Sequence, residues 1–522
     1  MQFRQFLLSP LVYTAAITSY LLSSTAVAGD QPQWGERHTR NMMSPETGLP
    51  ISFDLGSGEN VKWSAPLGAD AYGSPVIASG RVLVGANNVK PRDPRHQGDR
   101  AILLCLNEAD GSLCWQLAVP RIGGDDYLDW PGIGMCSPPT VEGDRVYTVT
   151  NRFEVVCLDL KGQADGNDGP YLDEGRHMAP DDDPPMEVTA IDADILWIFD
   201  MRTGVGMYPH DGAHASILLD GPYLYLNSGN GVDNTHACIR CPDAPSLIAL
   251  EKSTGRLVAQ DGERIGPLIF HATWSSPALG EVKGRRLVFF GGGDGVCYAF
   301  AALDPAAIPA TVQTLERVWR FDCDPSAPKV DVHSYLKNLS EGPSNIKSMP
   351  VFYKNRVYVT VGGDIWWGKN KAWLKCIDAT QTGDITETGE IWSYPLGRHS
   401  CSTPAISNGL VFVGDCKGLL HCIDAETGQA YWDHKLRQEI WGSAMAAGGN
   451  VYVGSRGKEF CVFAAEKEKR LLTSVRLGAP MTTTPMPANG VLYIATMEQL
   501  HALAIGGKDA PAHGSTTVSS PK

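Results

Sequence analysis

Short apolar runs, each closed by Gly or a polar turn, recur along this chain: Arg81 to Gly85, Arg145 to Val149, Tyr223 to Asn227, Arg286 to Gly291, Arg356 to Gly362, Leu410 to Gly414, Asn450 to Gly454 and Val491 to Ala495. Runs of this length, rich in Val, Leu, Tyr and Phe, predict β-strands. Before each lies a second short strand. Six of these begin with a small residue or Met followed by Pro: Ser74-Pro75, Ser137-Pro138, Ser276-Pro277, Met349-Pro350, Thr403-Pro404 and Thr484-Pro485. Ala215-Ser216-Ile217 and Ser443-Ala444-Met445 fill the gaps. A third strand follows, as at Leu104-Cys105-Leu106 or His421-Cys422-Ile423, and a fourth carries Trp115, Trp197, Trp319, Trp392 or Trp432.

Four antiparallel strands repeated eight times, about 55 residues apart, predict an all-β, eight-bladed β-propeller over residues 60–505. The last unit lacks a fourth strand, and Val61-Lys62-Trp63-Ser64-Ala65 ahead of the first unit supplies a spare. That N-terminal strand is expected to complete the eighth blade and close the ring. Pro suits the first strand because the innermost strand has a free edge, where a missing N–H costs no ladder bond.

Composition supports this picture. Among 522 residues there are 56 Gly and 35 Pro with only 20% charged residues, which argues against a long helical bundle. The net charge of −14, with no basic block, leaves counterion release without a source and excludes nucleic acid as a first partner. Residues 1–28 read as an export signal: Arg4, an apolar stretch from Phe6 to Leu22, and a small-x-small end at Ala26-Val27-Ala28. Residues 29–59 form a lead-in, and 506–522, rich in Gly, Ala, Ser, Thr and Pro, a disordered tail. The mature chain is expected in the periplasm or outside the cell, with no membrane span after signal cleavage.

The turn between third and fourth strands gives the sharper pattern. Cys422-Ile423-Asp424-Ala425-Glu426-Thr427-Gly428 runs on to Trp432, and Cys105 to Trp115 repeats the spacing around Asp110-Gly111. This resembles the tryptophan-docking motif, A-x-D-x-x-T-G-x-x-x-W, of the PQQ-type (quinoprotein) propellers, with Cys for Ala; Ala259 and Leu471 stand where Trp is expected. Asp and Thr-Gly build the turn, and Trp packs between blades as a flat spacer. The opening Gln33-Trp34-Gly35 and Ser44-Pro45-Glu46-Thr47-Gly48 are similar to the lead-in of secreted bacterial members of that family. The resemblance implies a site for PQQ and Ca²⁺ at the channel mouth, with a planar Trp stacked on the quinone. Asn230, in Asn227-Ser228-Gly229-Asn230, matches the family's metal-contacting Asn, and its other reading is a turn residue. The family's dehydrogenases also carry a vicinal Cys-Cys pair, which this sequence lacks.

Down-up-down-up strand order places the second-to-third and blade-to-blade connections on one face. The long ones gather there: 86–100, 119–135, 200–213, 227–246, 260–274, 322–347 and 362–372. They and their edges carry His96, His210, His214, His236, His271, His333 and His399, with Arg92, Arg95, Asp129, Trp130, Trp274, Trp366 and Trp367. Loops on a rigid scaffold are where binding resides. Asn230, Trp274, His271 and Arg92 are the candidate cofactor contacts.

Asp165 and Asn167 place oxygen donors at alternate positions as a calcium loop does, but position twelve is Arg176 instead of Glu, so a solvated acidic turn is the first reading and a metal site the second. Asn230, Asp165 and Asn167 are thus the candidate metal ligands. Of thirteen cysteines, Cys105, Cys157, Cys376 and Cys422 read as small core residues; Cys401 and Cys416 face each other in a hairpin register that permits a disulfide; and Cys238-x-x-Cys241 beside His236 is a tight disulfide or half a zinc site. The leading functional expectation is a non-catalytic binding or scaffold module, with a protein or small-molecule partner on the long-loop face. The alternatives are a PQQ- and calcium-dependent dehydrogenase of alcohols or sugars, and an accessory in outer-membrane protein assembly.

Overall fold

Each repeat unit folds into a four-stranded antiparallel sheet, and the eight sheets are the blades of a propeller. The computed structural model describes residues 29–508; the expected signal peptide and the tail from 509 onward lie outside the described residues. Blade 1 comprises Val76–Ala78, Arg81–Asn87, Arg100–Asn107 and Leu113–Pro120, and the innermost strands of blades 2 to 8 begin at Thr140, Leu218, Ala278, Val351, Ala405, Met445 and Met486. The ring closes as the sequence predicts. Glu59–Pro66 pairs antiparallel with Gln499–Lys508, Trp63 opposite Ala502. Residues 506–508, assigned to the tail by composition, extend that last strand.

The docking motif holds neighbouring blades together. A large Trp on the fourth strand faces a small residue on the third, as in Cys105 opposite Trp115, Cys376 opposite Trp392 and Cys422 opposite Trp432. Its other side lies on the turn of the next blade. There the indole N–H donates to a backbone carbonyl: Trp63 to Glu108 at 3.0 Å, Trp115 to Leu160 at 2.8 Å, Trp392 to Ala425 at 3.1 Å and Trp432 to Glu466 at 3.1 Å. The turn glycines have two reasons to be Gly. Gly111 and Gly428 sit at φ +73° and +74°, and a Cβ would press into the Trp63 or Trp392 ring.

Around the channel, the Ser or Thr that opens each of several units, before Pro or, at Ser443, before Ala, serves as a cross-blade acceptor. The Ser276 hydroxyl accepts from Ser216 N–H, Thr403 from Met349, Ser443 from Thr403, Thr484 from Ser443 and Ser74 from Thr484. The strands themselves begin after these prolines, and blade 8 carries a further proline, Pro487, inside its strand.

The lead-in runs around one end of the channel and touches every blade. Gln31 bridges Ile77, and Pro32 O accepts from Val141. Arg40 donates to Ser216, while His38 and Thr39 carbonyls accept from Leu279 and Phe352. Asn41 exchanges two hydrogen bonds with Ile406, Met43–Ser44 pairs parallel with the inner strand of blade 7, and Glu46 accepts from Asn489 and Gly490. Arg40, buried completely, spends its guanidinium on Pro277 O, Trp34 O and Ser216. Two short strands that the repeat pattern does not announce, Gln313–Thr314 and Gly383–Asp384, pair parallel onto the outer edges of blades 3 and 4. They cover edges that would otherwise be open.

Candidate functional site

Opposite the lead-in plug, the long connections surround a cavity of about 520 Å³ at the channel mouth. Its wall is aromatic: Trp130, Trp274, Trp366, Trp367 and Trp441, with Tyr72 and Tyr127. Polar groups are Asp70, Asp211, His214, His236, His271 and Arg456. Arg456 lies over the Trp441 ring at 4.2 Å. A smaller space of about 100 Å³, bordered by Trp34, Ser74, Lys347 and Trp441, continues beneath, and Trp34 anchors its indole N–H on Thr484 Oγ1 at 3.0 Å. The walls come from eight different connections, so the pocket exists only because the ring closes.

One side of the pocket carries three imidazoles. His210 and Asp211 arrive on the connection from blade 2 to 3, His236 on the loop inside blade 3, and His271 on the connection from blade 3 to 4. The Nε2 atoms of His210 and His271 are 2.9 Å apart, and one ring nitrogen from each of the three histidines falls within 4.8 Å of the other two. Asp211 Oδ2 stands 3.7 Å from His210 Nε2 and 3.6 Å from His271 Nε2. Aromatic packing fixes the rings: Tyr127 stacks on His210 at 5.7 Å, and His236 lies nearly parallel to His271 at 5.3 Å. Burial, and then the neighbouring His271 and His236 rings, push the His210 pKa down to about 2. His236 is lowered by burial and by His271, and His214 by burial to about 3. Burial moves Asp211 the other way, above the ordinary carboxylate range.

Behind His271 sits a buried ion pair. Asp364 Oδ2 is 3.2 Å from His271 Nδ1 and 3.0 Å from Lys347 Nζ, while the backbone N–H groups of Trp366 and Trp367 donate to Oδ1 at 3.0 and 3.1 Å. Burial opposes charge on Asp364, but Lys347, His271 and the Trp366 amide outweigh it and hold the carboxyl well below its usual value. Lys347 also lies 4.0 Å from the centre of the Trp274 ring.

Of the four candidate cofactor contacts, His271 and Trp274 line this pocket, joined by His214, His236, Trp130, Trp366 and Trp367 from the long-loop set. Asn230 does not: it is fully buried, its side-chain oxygen accepts from Tyr208 N–H at 3.0 Å and its NH₂ donates to Cys241 O at 2.9 Å. Its side chain instead ties two loops together, and the left-handed φ of the segment falls on Gly229, not on Asn230. Arg92 is half-buried on the loop inside blade 1, outside the pocket walls. Asp165 pairs with Lys161 at 2.7 Å and Asn167 with Glu174 at 2.8 Å, both in the insert within blade 2, so the three candidate metal ligands are not brought together. All thirteen cysteines are thiols in this structure; Cys401 and Cys416 lie side by side as the register requires, without a bond, and Cys238 is exposed. His96 and Arg95 belong to a separate network in which the Arg95 guanidinium spans Asp93 and Asp192. Tyr72, Asp211, Lys347, Asp364, Trp441 and Arg456 were not foreseen. Only ring closure brings them to the site, and no local motif marks them.

Residues 370–509 match the family model described as outer membrane protein assembly factor BamB. Among solved structures, BamB from Moraxella catarrhalis superposes with a TM-score of 0.50 at 13% identity, over 87% of this chain and 98% of that one. A europium-containing methanol dehydrogenase superposes with a TM-score of 0.55 at 12% identity, over 90% of each chain. A computationally designed protein, Ika8, reaches 0.50 at 11% identity, over 85% of this chain and 99% of that one. No curated protein matches in sequence. At these identities the structural likeness speaks to fold alone. Blade geometry and docking turns make the chain an eight-bladed β-propeller, and its residues 370–509 match a PQQ-like repeat model.

Proposed function

We propose that this chain is an exported, non-catalytic propeller that binds a small, flat-faced ligand at its channel mouth. The observation that carries this reading is the 520 Å³ pocket on the long-loop face, walled by five tryptophans and floored by a channel that the lead-in fills from the other end. Volume and lining are those of a small-molecule site: apolar faces for stacking, and a few convergent polar groups to set orientation. The export signal expected in residues 1–28 supports the location. Among the described residues no helix is long and apolar enough to cross a membrane.

Quinone-dependent oxidation is the second reading, and the flat Trp274 wall favours it. Its metal does not fit as well. Calcium takes oxygen donors, whereas the pocket gathers imidazole nitrogens and the Asn230 amide is engaged elsewhere. The family match to an assembly factor supports the third reading, a protein partner on the same face.

Titrating purified protein with planar ligands, PQQ with Ca²⁺ among them, and following tryptophan fluorescence separates the readings. A saturable quench that weakens about tenfold or more in Trp366→Ala is the expected result. PQQ retained through desalting, together with dye-linked alcohol oxidation, would replace this reading with the enzymatic one.

A further inference from the structure

We infer that His210, His236 and His271, with Asp211 as a fourth donor, form a binding site for one divalent first-row transition ion whose open side faces the channel-mouth pocket. Imidazole suits zinc, copper, iron and nickel, and three His with a carboxylate is a donor set these ions accept. The rings converge from three separate connections, with donor atoms within 4.8 Å of one another. Tetrahedral coordination at an ordinary Zn–N length sets nitrogens about 3.3 Å apart. The 2.9 Å between His210 and His271 Nε2 needs a few tenths of an ångström of give, and Asp211 Oδ2 already stands beside both.

The surroundings are those of a ligand set, not of packed core rings. Three histidines 1%, 6% and 2% exposed are expensive to bury together unless their lone pairs are used. In the ion-free arrangement the His210–His271 contact uses one proton between two Nε2 atoms, and an ion would use both lone pairs at once. His271 presents its far nitrogen to Asp364, itself fixed by two backbone N–H groups and Lys347, the carboxylate–histidine arrangement that orients a metal-bound imidazole. The other convergent cluster, Asp93, His96 and Asp192, is different. There Arg95 already supplies the positive charge.

Asp211, His236 and His271 all reach the pocket wall, so a bound ion would present an open position to whatever enters. Ion binding does not rest on the pocket-ligand reading; only its use as an anchor for that ligand does.

Tag-free protein, stripped with EDTA and desalted, is titrated with Zn²⁺ by calorimetry and with Co²⁺ by visible absorption. The expected result is one equivalent bound with Kd below about 1 µM, and a Co²⁺ spectrum of four-coordinate intensity. His236→Gln and His271→Gln should each weaken Zn²⁺ by about 100-fold or more, and Asp364→Asn by about 10- to 100-fold through lost orientation. His236→Gln sits on a loop, and an unchanged melting curve shows that its fold is intact. Cys238→Ser/Cys241→Ser should leave affinity unchanged. Binding weaker than about 100 µM in the wild type, affinity untouched by His236→Gln and His271→Gln, or loss of binding in the double cysteine variant would each overturn the inference. If zinc binds as stated while planar ligands do not, the ion site stands and the pocket reading alone falls.

Discussion

His501 shows how a single side chain reports the fold. It lies on the third strand of blade 8, with Nδ1 2.8 Å from Ser64 Oγ on the closing strand, and burial lowers its pKa from 6.5 to about 4. A histidine kept neutral in the fold protonates more readily when unfolded, so its contribution is complete above pH 6.5, falls as the pH drops through that value, and levels off below about 4. His501→Gln removes the titration. Chemical denaturation of both proteins should show the wild type losing about 2 kcal/mol more than the variant between pH 7 and pH 5. Parallel pH curves would contradict the assignment. The same scale explains the Ser-Pro and Thr-Pro repeats. Sequence periodicity shows them as a small residue before a strand; the structure shows their hydroxyls accepting from the neighbouring blade, a role that depends on having a neighbour.

Among the elements, the strand Glu59–Pro66 has the largest mechanical role, since it joins the two ends of the chain. Trp63 fixes it, 4% exposed, with its N–H on Glu108 O, Gly111 beneath its ring and Tyr493 alongside at 5.9 Å. Trp63→Ala should cost about 3 to 5 kcal/mol, the usual loss for a buried aromatic, and make the blade 8 to blade 1 seam the first to exchange amide hydrogens. Uniform exchange across all eight blades would show that the seam is no weaker than the rest. This element was legible beforehand because a propeller with one strand missing at its C-terminal end needs one from its N-terminus. The edge strands Gln313–Thr314 and Gly383–Asp384 were not, because two residues carry no period.

At the scale of the whole molecule, the lead-in and the pocket occupy opposite ends of one channel. Residues 29–48 hydrogen-bond to all eight blades, and Trp34 marks the depth to which they fill the interior. Removing 29–48 should lower Tm by about 5 °C or more, with the greatest loss of protection in the inner strands. A deletion that melts like the intact chain would mean that the plug follows the ring and does not brace it.

Eight units, the Trp docking turns and the borrowed strand were determined by the sequence alone, because strand periodicity and turn chemistry are local and each unit repeats them. The elaborated face was also legible, since strand order sends most of the long connections to the same side, the third-to-fourth-strand insert of blade 2 being the largest exception. Which residues meet there was decided by tertiary structure. His210, His236 and His271 are separated by 26 and 35 residues, and Asp364 and Lys347 come from another blade. Their approach depends on the angle between blades and on the closed circumference, which no window of sequence contains.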